Sequence, residues 1–219
     1  MPIIESADGS HTIFSDKFGV TYHSRHGAVT ESQHVFINAG LRFKAAENQE
    51  VAVLEAGFGT GLNAFLTWLF AEKRDLRVRY TGLEIFPIPP AEAAHLNYPE
   101  LLNLPDRRDD FFTLHTCAWE QPLDLSENFT FEKRKTPIEF VAFDGAFDLI
   151  YFDAFAPQAQ PELWSENTLH RMHRALRPDG MLLTYCAQGE FRRTLKKVGF
   201  AVEKLQGPPG KREMTRAVK

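Results

Sequence analysis

Three acids and three glycines carry most of the chemistry that this sequence offers. In Val51-Ala52-Val53-Leu54-Glu55-Ala56-Gly57-Phe58-Gly59-Thr60-Gly61-Leu62-Asn63 an apolar run ends on a carboxylate. Glycines follow at alternate positions, and an apolar-periodic stretch continues to Phe70. That order reads as buried strand, tight loop and helix. Glycine accepts backbone angles that a side chain forbids and lets a ligand approach the main chain, while the first amides of a helix are unpaired donors. Such a loop can grip a nucleoside or the charged tail of an amino acid. A dinucleotide fingerprint would be G-x-G-x-x-G, with a pyrophosphate on the helix start. The spacing here is G-x-G-x-G, which favours S-adenosylmethionine, a cofactor without phosphate. A bare βα turn is the competing reading.

The second acid, Glu84, closes the strand-like run Arg77-Val78-Arg79-Tyr80-Thr81-Gly82-Leu83. It falls about twenty residues beyond the loop, where a carboxylate can accept hydrogen bonds from both ribose hydroxyls. The third, Asp153, ends Phe147-Asp148-Leu149-Ile150-Tyr151-Phe152 and opens Asp153-Ala154-Phe155-Ala156-Pro157. In an open parallel sheet all three features share the carboxyl edge, where ligands sit. A methyl transfer needs a nucleophile held in line with the methyl carbon, and positioning supplies much of its rate. If the nucleophile is an amine, Asp153 can hold it, stabilise the charge that grows on nitrogen and steer its lone pair. Phe155 offers a face for a flat ring. The alternative is that Asp153 only caps the next helix.

The elements that must position these groups follow from the rest of the chain. At 219 residues, with 43% hydrophobic and 25% charged residues, one large soluble domain with a substantial core is expected. No apolar run approaches the length of a membrane span, and the start Met1-Pro2-Ile3-Ile4-Glu5 has no basic or apolar export region, so the cytoplasm is the expected location. Cys117 and Cys186 make neither a disulfide framework nor a metal cluster. His170 and His173, three apart on a predicted helix without an acid cluster, read as solvated side chains, so no metal is expected.

Residues 1–45 hold short alternating pieces, read as a small β-rich extension with a hairpin and then an irregular or helical segment; residues 46–219 are read as the main domain. Ala91 to Leu102 carries helical spacing. Phe111 to His115 reads as a strand, and Phe129-Thr130-Phe131 with Ile138-Glu139-Phe140-Val141 as a hairpin. A helix from Pro161 to Leu176, a strand Met181–Tyr185, a helix Glu190–Val198 and two closing strands, Phe200–Lys204 and Glu213–Val218, complete the alternation. This pattern selects a doubly wound α/β sheet, mostly parallel, with an antiparallel pair at the C-terminal edge.

The net charge of −4 argues against a protein that coats nucleic acid, but its distribution is uneven: +7 from Arg192 to Lys219 and −11 over the rest. That segment is either solvated surface or a local seat for a polyanion.

The residues Glu55 to Asn63, Glu84-Ile85-Phe86-Pro87, Asp153 to Pro157 with Pro161-Glu162-Leu163-Trp164, and Gly210-Lys211-Arg212-Glu213-Met214, in this order, resemble the methyltransferase domain of the MnmC family and its stand-alone relatives, MnmD. The likeness extends to Tyr22-His23-Ser24 and the Glu31 to Phe36 piece. It implies a class I, Rossmann-like, S-adenosyl-L-methionine-dependent enzyme that methylates the primary amine of 5-aminomethyl-2-thiouridine at the wobble position in the anticodon loop of tRNA. By that resemblance Glu55, Gly57, Gly59, Thr60, Gly61, Asn63 and Glu84 form the cofactor set. Asp153 faces the methionine amine or the acceptor amine, and Tyr22, Ser24, Glu31, Phe155, Lys211 and Arg212 surround the substrate.

Two departures accompany the resemblance. The two-domain members carry a flavin-dependent oxidase half for which no second Gly-rich loop is visible, so the amine must come from elsewhere. The acidic loop expected to hold adenine is also short here, leaving Asp144 as the carboxylate for that base. The other functions open to this sequence are methylation of a small-molecule or protein amine, and nucleotide binding without catalysis.

Overall fold

A computed structural model describes all residues, 1–219. The chain begins with a small antiparallel sheet, β1 (Ile3–Glu5), β2 (His11–Ser15) and β3 (Val20–Thr21). A continuous helical stretch follows: α1 (Ala28–Ser32), a π-helical section Gln33–Leu41, and α2 (Arg42–Ala45). Asp8 and Ser10 supply the missing cap of α1. Asp8 Oδ2 accepts from the Thr30 amide at 2.9 Å and Ser10 Oγ from the Ala28 amide at 2.9 Å, pairing donors that a helix start leaves free.

Then come β4 (Glu50–Ala56), α3 (Leu62–Arg74), β5 (Arg77–Leu83), the short α4 (Pro90–Ala93) and α5 (Tyr98–Leu101), and α6 (Arg108–Thr116). β6 (Leu123–Ser126), β7 (Phe129–Arg134) and β8 (Phe147–Phe152) lead to α7 (Glu166–Ala175). The chain ends with β9 (Leu176–Thr184), α8 (Gly189–Val198), β10 (Ala201–Gln206) and β11 (Glu213–Val218).

Eight strands form one sheet in the order β10-β11-β9-β8-β4-β5-β7-β6. The inner five are parallel, and β11 runs antiparallel to both β9 and β10, as the strand pattern anticipates. Strand order reverses between β4 and β8, so the loops leaving these two strands diverge and open a crevice. The register pairs Ala56 with Phe152, and the Asp153 amide donates to the Ala56 carbonyl at 3.0 Å. The glycine loop and Asp153 are therefore neighbours by topology, although about ninety residues separate them in sequence.

Alternation decides what lies behind the crevice. Val51 and Val53 of β4, with Leu149 and Tyr151 of β8, join the core beneath α3, α6 and the 28–45 helix; Ala52, Leu54, Ile150 and Phe152 join the core beneath α7 and α8. Phe36 of the N-terminal helical stretch packs on Tyr151 with ring centres 5.0 Å apart, so that segment contributes to the main core. Glu55 and Asp153, odd-numbered like Val53 and Tyr151, fall on the α3 side.

Two sequence expectations are corrected. Phe111 to His115 is helical, within α6: Phe111, Leu114 and His115 are its buried residues, a one-face spacing of three and four, and Asp109 and Asp110 in the first turn favour a helix start. Five residues rich in Phe and Thr fit either period, and tertiary packing decided. The hairpin partner of β7 is β6, with Leu123 opposite Phe131, while Ile138–Phe140 forms a single 3-10 turn after Pro137. That places a second antiparallel pair at the far edge of the sheet.

Candidate functional site

At the crevice the loop after β4 lies against the start of the segment after β8. Gly57 has φ of +96°, and a Cβ there would stand 2.9 Å from the Asp153 carbonyl oxygen. Only glycine satisfies both conditions. Gly59, at φ +49°, lies under Tyr22, whose Cδ1 a Cβ would approach to 2.9 Å. Above this floor opens a cleft of about 580 Å³, solvent at its mouth included, bordered by Tyr22, Gly57, Gly59, Glu84, Asp153 and Phe155. Six of the residues singled out from the sequence thus meet at one place.

Glu84 is fixed by two backbone donors, the Gly59 amide to Oε2 at 3.0 Å and the Phe86 amide to Oε1 at 2.7 Å. A carboxylate oxygen has more than one acceptor site, so both oxygens remain able to accept from a vicinal diol. Burial raises its carboxyl above the usual range, opposed by those two amides.

Glu55, Thr60, Gly61 and Asn63 lie behind the cleft rather than on its wall. Thr60 is held between two buried imidazoles, His23 Nε2 at 2.7 Å from its hydroxyl and His115 Nε2 donating to its carbonyl at 3.1 Å. Burial pushes both histidines down to about 4, so they are neutral packing partners. Asn63 donates through Nδ2 to Glu55 Oε1 at 2.9 Å and to Asp153 Oδ2 at 2.8 Å. Burial, reinforced by nearby Glu31, pushes the Asp153 carboxyl up to about 7 against the Asn63 hydrogen bond and the Lys211 charge. Asp153 is not a helix cap: Ser165 caps α7, its hydroxyl accepting from the Thr168 amide at 3.3 Å.

Of the remaining residues, Lys211 pairs with Glu31 at 2.5 Å and lies over the Tyr185 ring, 3.9 Å from its centre. Ser24 donates its amide to Glu31 at 3.3 Å. Lys211 and Arg212 border a shallower groove beside Tyr185 and Gln188. Asp144 is a correction. It is an exposed side chain paired with Arg174 at 3.0 Å and does not border the cleft.

The carboxylate that does border it beyond Glu84 and Asp153 is Glu139, on the 3-10 turn misread as a strand; its Oε2 is buried without a hydrogen-bond partner. Ile138 and Leu83 supply apolar walls next to it, and Ile85, Phe86 and Phe18 the rim. The Phe18 ring packs on Phe155 and Phe86 at 4.8 and 6.0 Å, bringing the tip of the β2–β3 hairpin over the cleft. The turn residues Asp16 to Gly19 mark that hairpin in the sequence, but nothing local indicates where its tip docks.

The C-terminal basic run is largely committed to internal contacts. Arg192 bonds Thr215 and Glu213, Lys197 Glu166, Lys211 Glu31, Arg216 Glu203, and Lys219 the Leu176 carbonyl. Arg193, Lys196, Lys204 and Arg212 are exposed.

A family model for S-adenosyl-L-methionine-dependent methyltransferases matches residues 129–219. The bifunctional tRNA 5-methylaminomethyl-2-thiouridine biosynthesis protein MnmC of Delftia acidovorans is 31% identical over 236 aligned positions, covering 100% of this chain and 35% of that protein. Its Azoarcus counterpart is 30% identical, covering 94% and 34%. The crystal structure of MnmC2 from Aquifex aeolicus superposes with a TM-score of 0.74 at 25% identity over 98% of this chain and 69% of that one. Over its whole length the chain is similar to one portion of the MnmC proteins, and its residues 129–219 match the S-adenosyl-L-methionine-dependent methyltransferase family. It spans about a third of the length of the MnmC proteins it matches. S-adenosyl-L-methionine is the family's cofactor, and the site fits it. Gly57 and Gly59 border the cleft without side chains, Glu84 is held by two backbone amides, and Glu139, with one buried oxygen lacking a partner, borders the same cleft beside the apolar Ile138 and Leu83. The MnmC2 likeness covers 98% of this chain and so takes in the N-terminal extension as well.

Proposed function

We propose that this chain is a tRNA methyltransferase that methylates the 5-aminomethyl group of a wobble (2-thio)uridine, giving the 5-methylaminomethyl product. The observation that carries the reading is Asp153: an acid at the switch point, beside the glycine cradle, opening on a cleft flanked by the rings of Phe155 and Tyr22. The names of the MnmC relatives concern that same modified uridine on tRNA.

When bound, S-adenosyl-L-methionine would supply the methyl carbon to the amine nitrogen, its sulfur keeping the electron pair of the broken bond. Gly57 and Gly59 would lie along the donor's amino-acid portion, Glu84 would accept from its ribose hydroxyls, and Glu139 would accept from the exocyclic amine of its base. Asp153 receives a hydrogen bond from the acceptor amine, which orients the lone pair and stabilises the charge developing on nitrogen. With a carboxyl raised to about 7, Asp153 can also take the proton that the methylated nitrogen sheds. Phe155 and Tyr22 give the uracil ring apolar faces once it has left the anticodon stack. Arg212 and neighbouring exposed cations contact phosphate. The primary amine must be present on the uridine beforehand, supplied by an activity outside these 219 residues.

The test is to incubate the protein with methyl-labelled cofactor and tRNA lacking the wobble methyl group, then digest to nucleosides. The expected result is label in 5-methylaminomethyl-(2-thio)uridine. Label in a small-molecule or protein amine with none in tRNA would end this reading.

A further inference from the structure

Between the buried floor of the sheet and the cleft, two side chains without a part in the proposed reaction, Glu55 and Asn63, form a relay that ends on Asp153. Glu55 is fully buried on β4, Asn63 is the second residue of α3, and Asp153 follows β8. The Asn63 amide nitrogen spends both of its protons on carboxylates, one on Glu55 Oε1 at 2.9 Å and one on Asp153 Oδ2 at 2.8 Å. An amide that donates in two directions at once cannot rotate without leaving a buried acceptor bare. Strand parity and the helix start set this geometry: odd positions of β4 and β8 face α3, whose first turn brings its second residue over them.

We propose that Asn63 is a positioning residue, anchored by the buried Glu55, that clamps one carboxylate oxygen of Asp153 and so presents the other to the acceptor amine. The role rests on the reading of Asp153 as the catalytic acid, and it separates Asn63 from the cofactor contacts to which the family resemblance assigns it. Glu55 suits the part of an anchor. Burial holds its carboxyl well above the usual range, so it accepts from Asn63 without placing a second full negative charge behind Asp153. Asn63 also offsets part of the burial of Asp153, since a hydrogen bond to a carboxylate favours its ionised form. The other groups acting on Asp153 are Glu31 from α1 and Lys211 from the loop before β11; Asp153 in turn acts on Glu55, on Tyr80 from β5 and on Tyr185 after β9.

The experiment compares the full chain with Asn63→Leu, which keeps the volume and removes both donors. Three quantities are read: the cofactor dissociation constant, single-turnover methyl transfer to tRNA, and the infrared C=O stretch of protonated Asp153, identified by its loss in Asp153→Asn. The clamp predicts that cofactor affinity stays within about threefold, that transfer slows roughly 100-fold, and that the Asp153 midpoint rises by roughly one to two pH units. A merely structural asparagine would lower the melting temperature and leave that midpoint in place. An unmoved midpoint with an unchanged transfer rate overturns the clamp, as does a cofactor affinity that falls in step with the rate. If Asn63→Leu does not fold, Glu55→Leu must move the midpoint the same way and Glu55→Gln, which keeps an acceptor, must move it less; equal effects overturn the proposal. Transfer that survives in Asp153→Asn defeats the catalytic reading of Asp153 instead, whatever Asn63 does.

Discussion

Lys211 and Glu31 are 180 residues apart in sequence and 2.5 Å apart in space, and their ion pair ties the loop before β11 to the N-terminal helix beside the groove that Tyr185 and Gln188 border. The pair also acts on Asp153, because Glu31 raises its carboxyl and Lys211 lowers it. Lys211→Met removes the lowering charge and leaves Glu31 unopposed. The ionised form of Asp153 then appears only at higher pH, and the acidic limb of the transfer rate moves in the same direction, with a loss of about threefold to tenfold at pH 7. A pH–rate profile of Lys211→Met against the unaltered protein checks this. Arg212→Glu should leave that profile in place, weaken tRNA binding and flatten its salt dependence, measured by binding at two ionic strengths.

Asp153 should also limit stability. Its ordinary carboxyl value is 3.8 and its folded value about 7, so folding favours the protonated form. At low pH both states hold the proton and no cost arises; the cost grows as pH climbs from about 4 and is complete above about 7. Asp153→Asn should therefore raise the melting temperature more at pH 8 than at pH 4. Equal shifts at both pH values in thermal unfolding would show that the carboxyl is not held protonated by the fold.

Glu139 is expected to govern affinity for the cofactor's base. Removing a charged acceptor costs about 1.5–3 kcal/mol, so Glu139→Ala should weaken cofactor binding roughly tenfold or more, with little change in the single-turnover rate at saturation. Calorimetric titration checks it. Asp144→Ala, on the exposed surface, should not change that affinity.

Lys133 is a structural charge. Its side chain is buried, and Nζ donates to the Leu114 and His115 carbonyls, at 3.2 Å and 2.5 Å, near the C-terminal end of α6. Those carbonyls have no partner within the helix ladder. Lys133→Met should cost about 1–3 kcal/mol in urea unfolding, by orphaning the His115 carbonyl and leaving the Leu114 carbonyl only the weak Cys117 thiol donor, with cofactor affinity largely retained.

Much of the fold can be read locally because the signals are local. The β4 run with its three glycines, the acid closing β5 and the amphipathic α8 each show their element within a dozen residues, and alternation along β4 and β8 gives the two buried faces. Phe111–His115 and Ile138–Val141 are misread because four or five apolar-rich residues satisfy more than one period, and only packing against α3 or the Pro137 turn decides. Glu139 is hidden by that second misreading. The relations that matter most for the site are long-range: Asn63 to Asp153, Lys211 to Glu31, and Phe18 to Phe155. The basic C-terminal run shows the reverse limit. Composition suggests a polyanion seat, yet five of its nine cations are bonded within the protein.

The most direct test of the account is single-turnover transfer from labelled S-adenosyl-L-methionine to tRNA carrying the primary amine, with Asp153→Ala beside the unaltered protein and cofactor affinity measured on both. The account predicts that affinity is nearly retained while label transfer to the wobble uridine falls by at least about a hundredfold. Transfer at an undiminished rate in the variant would contradict it.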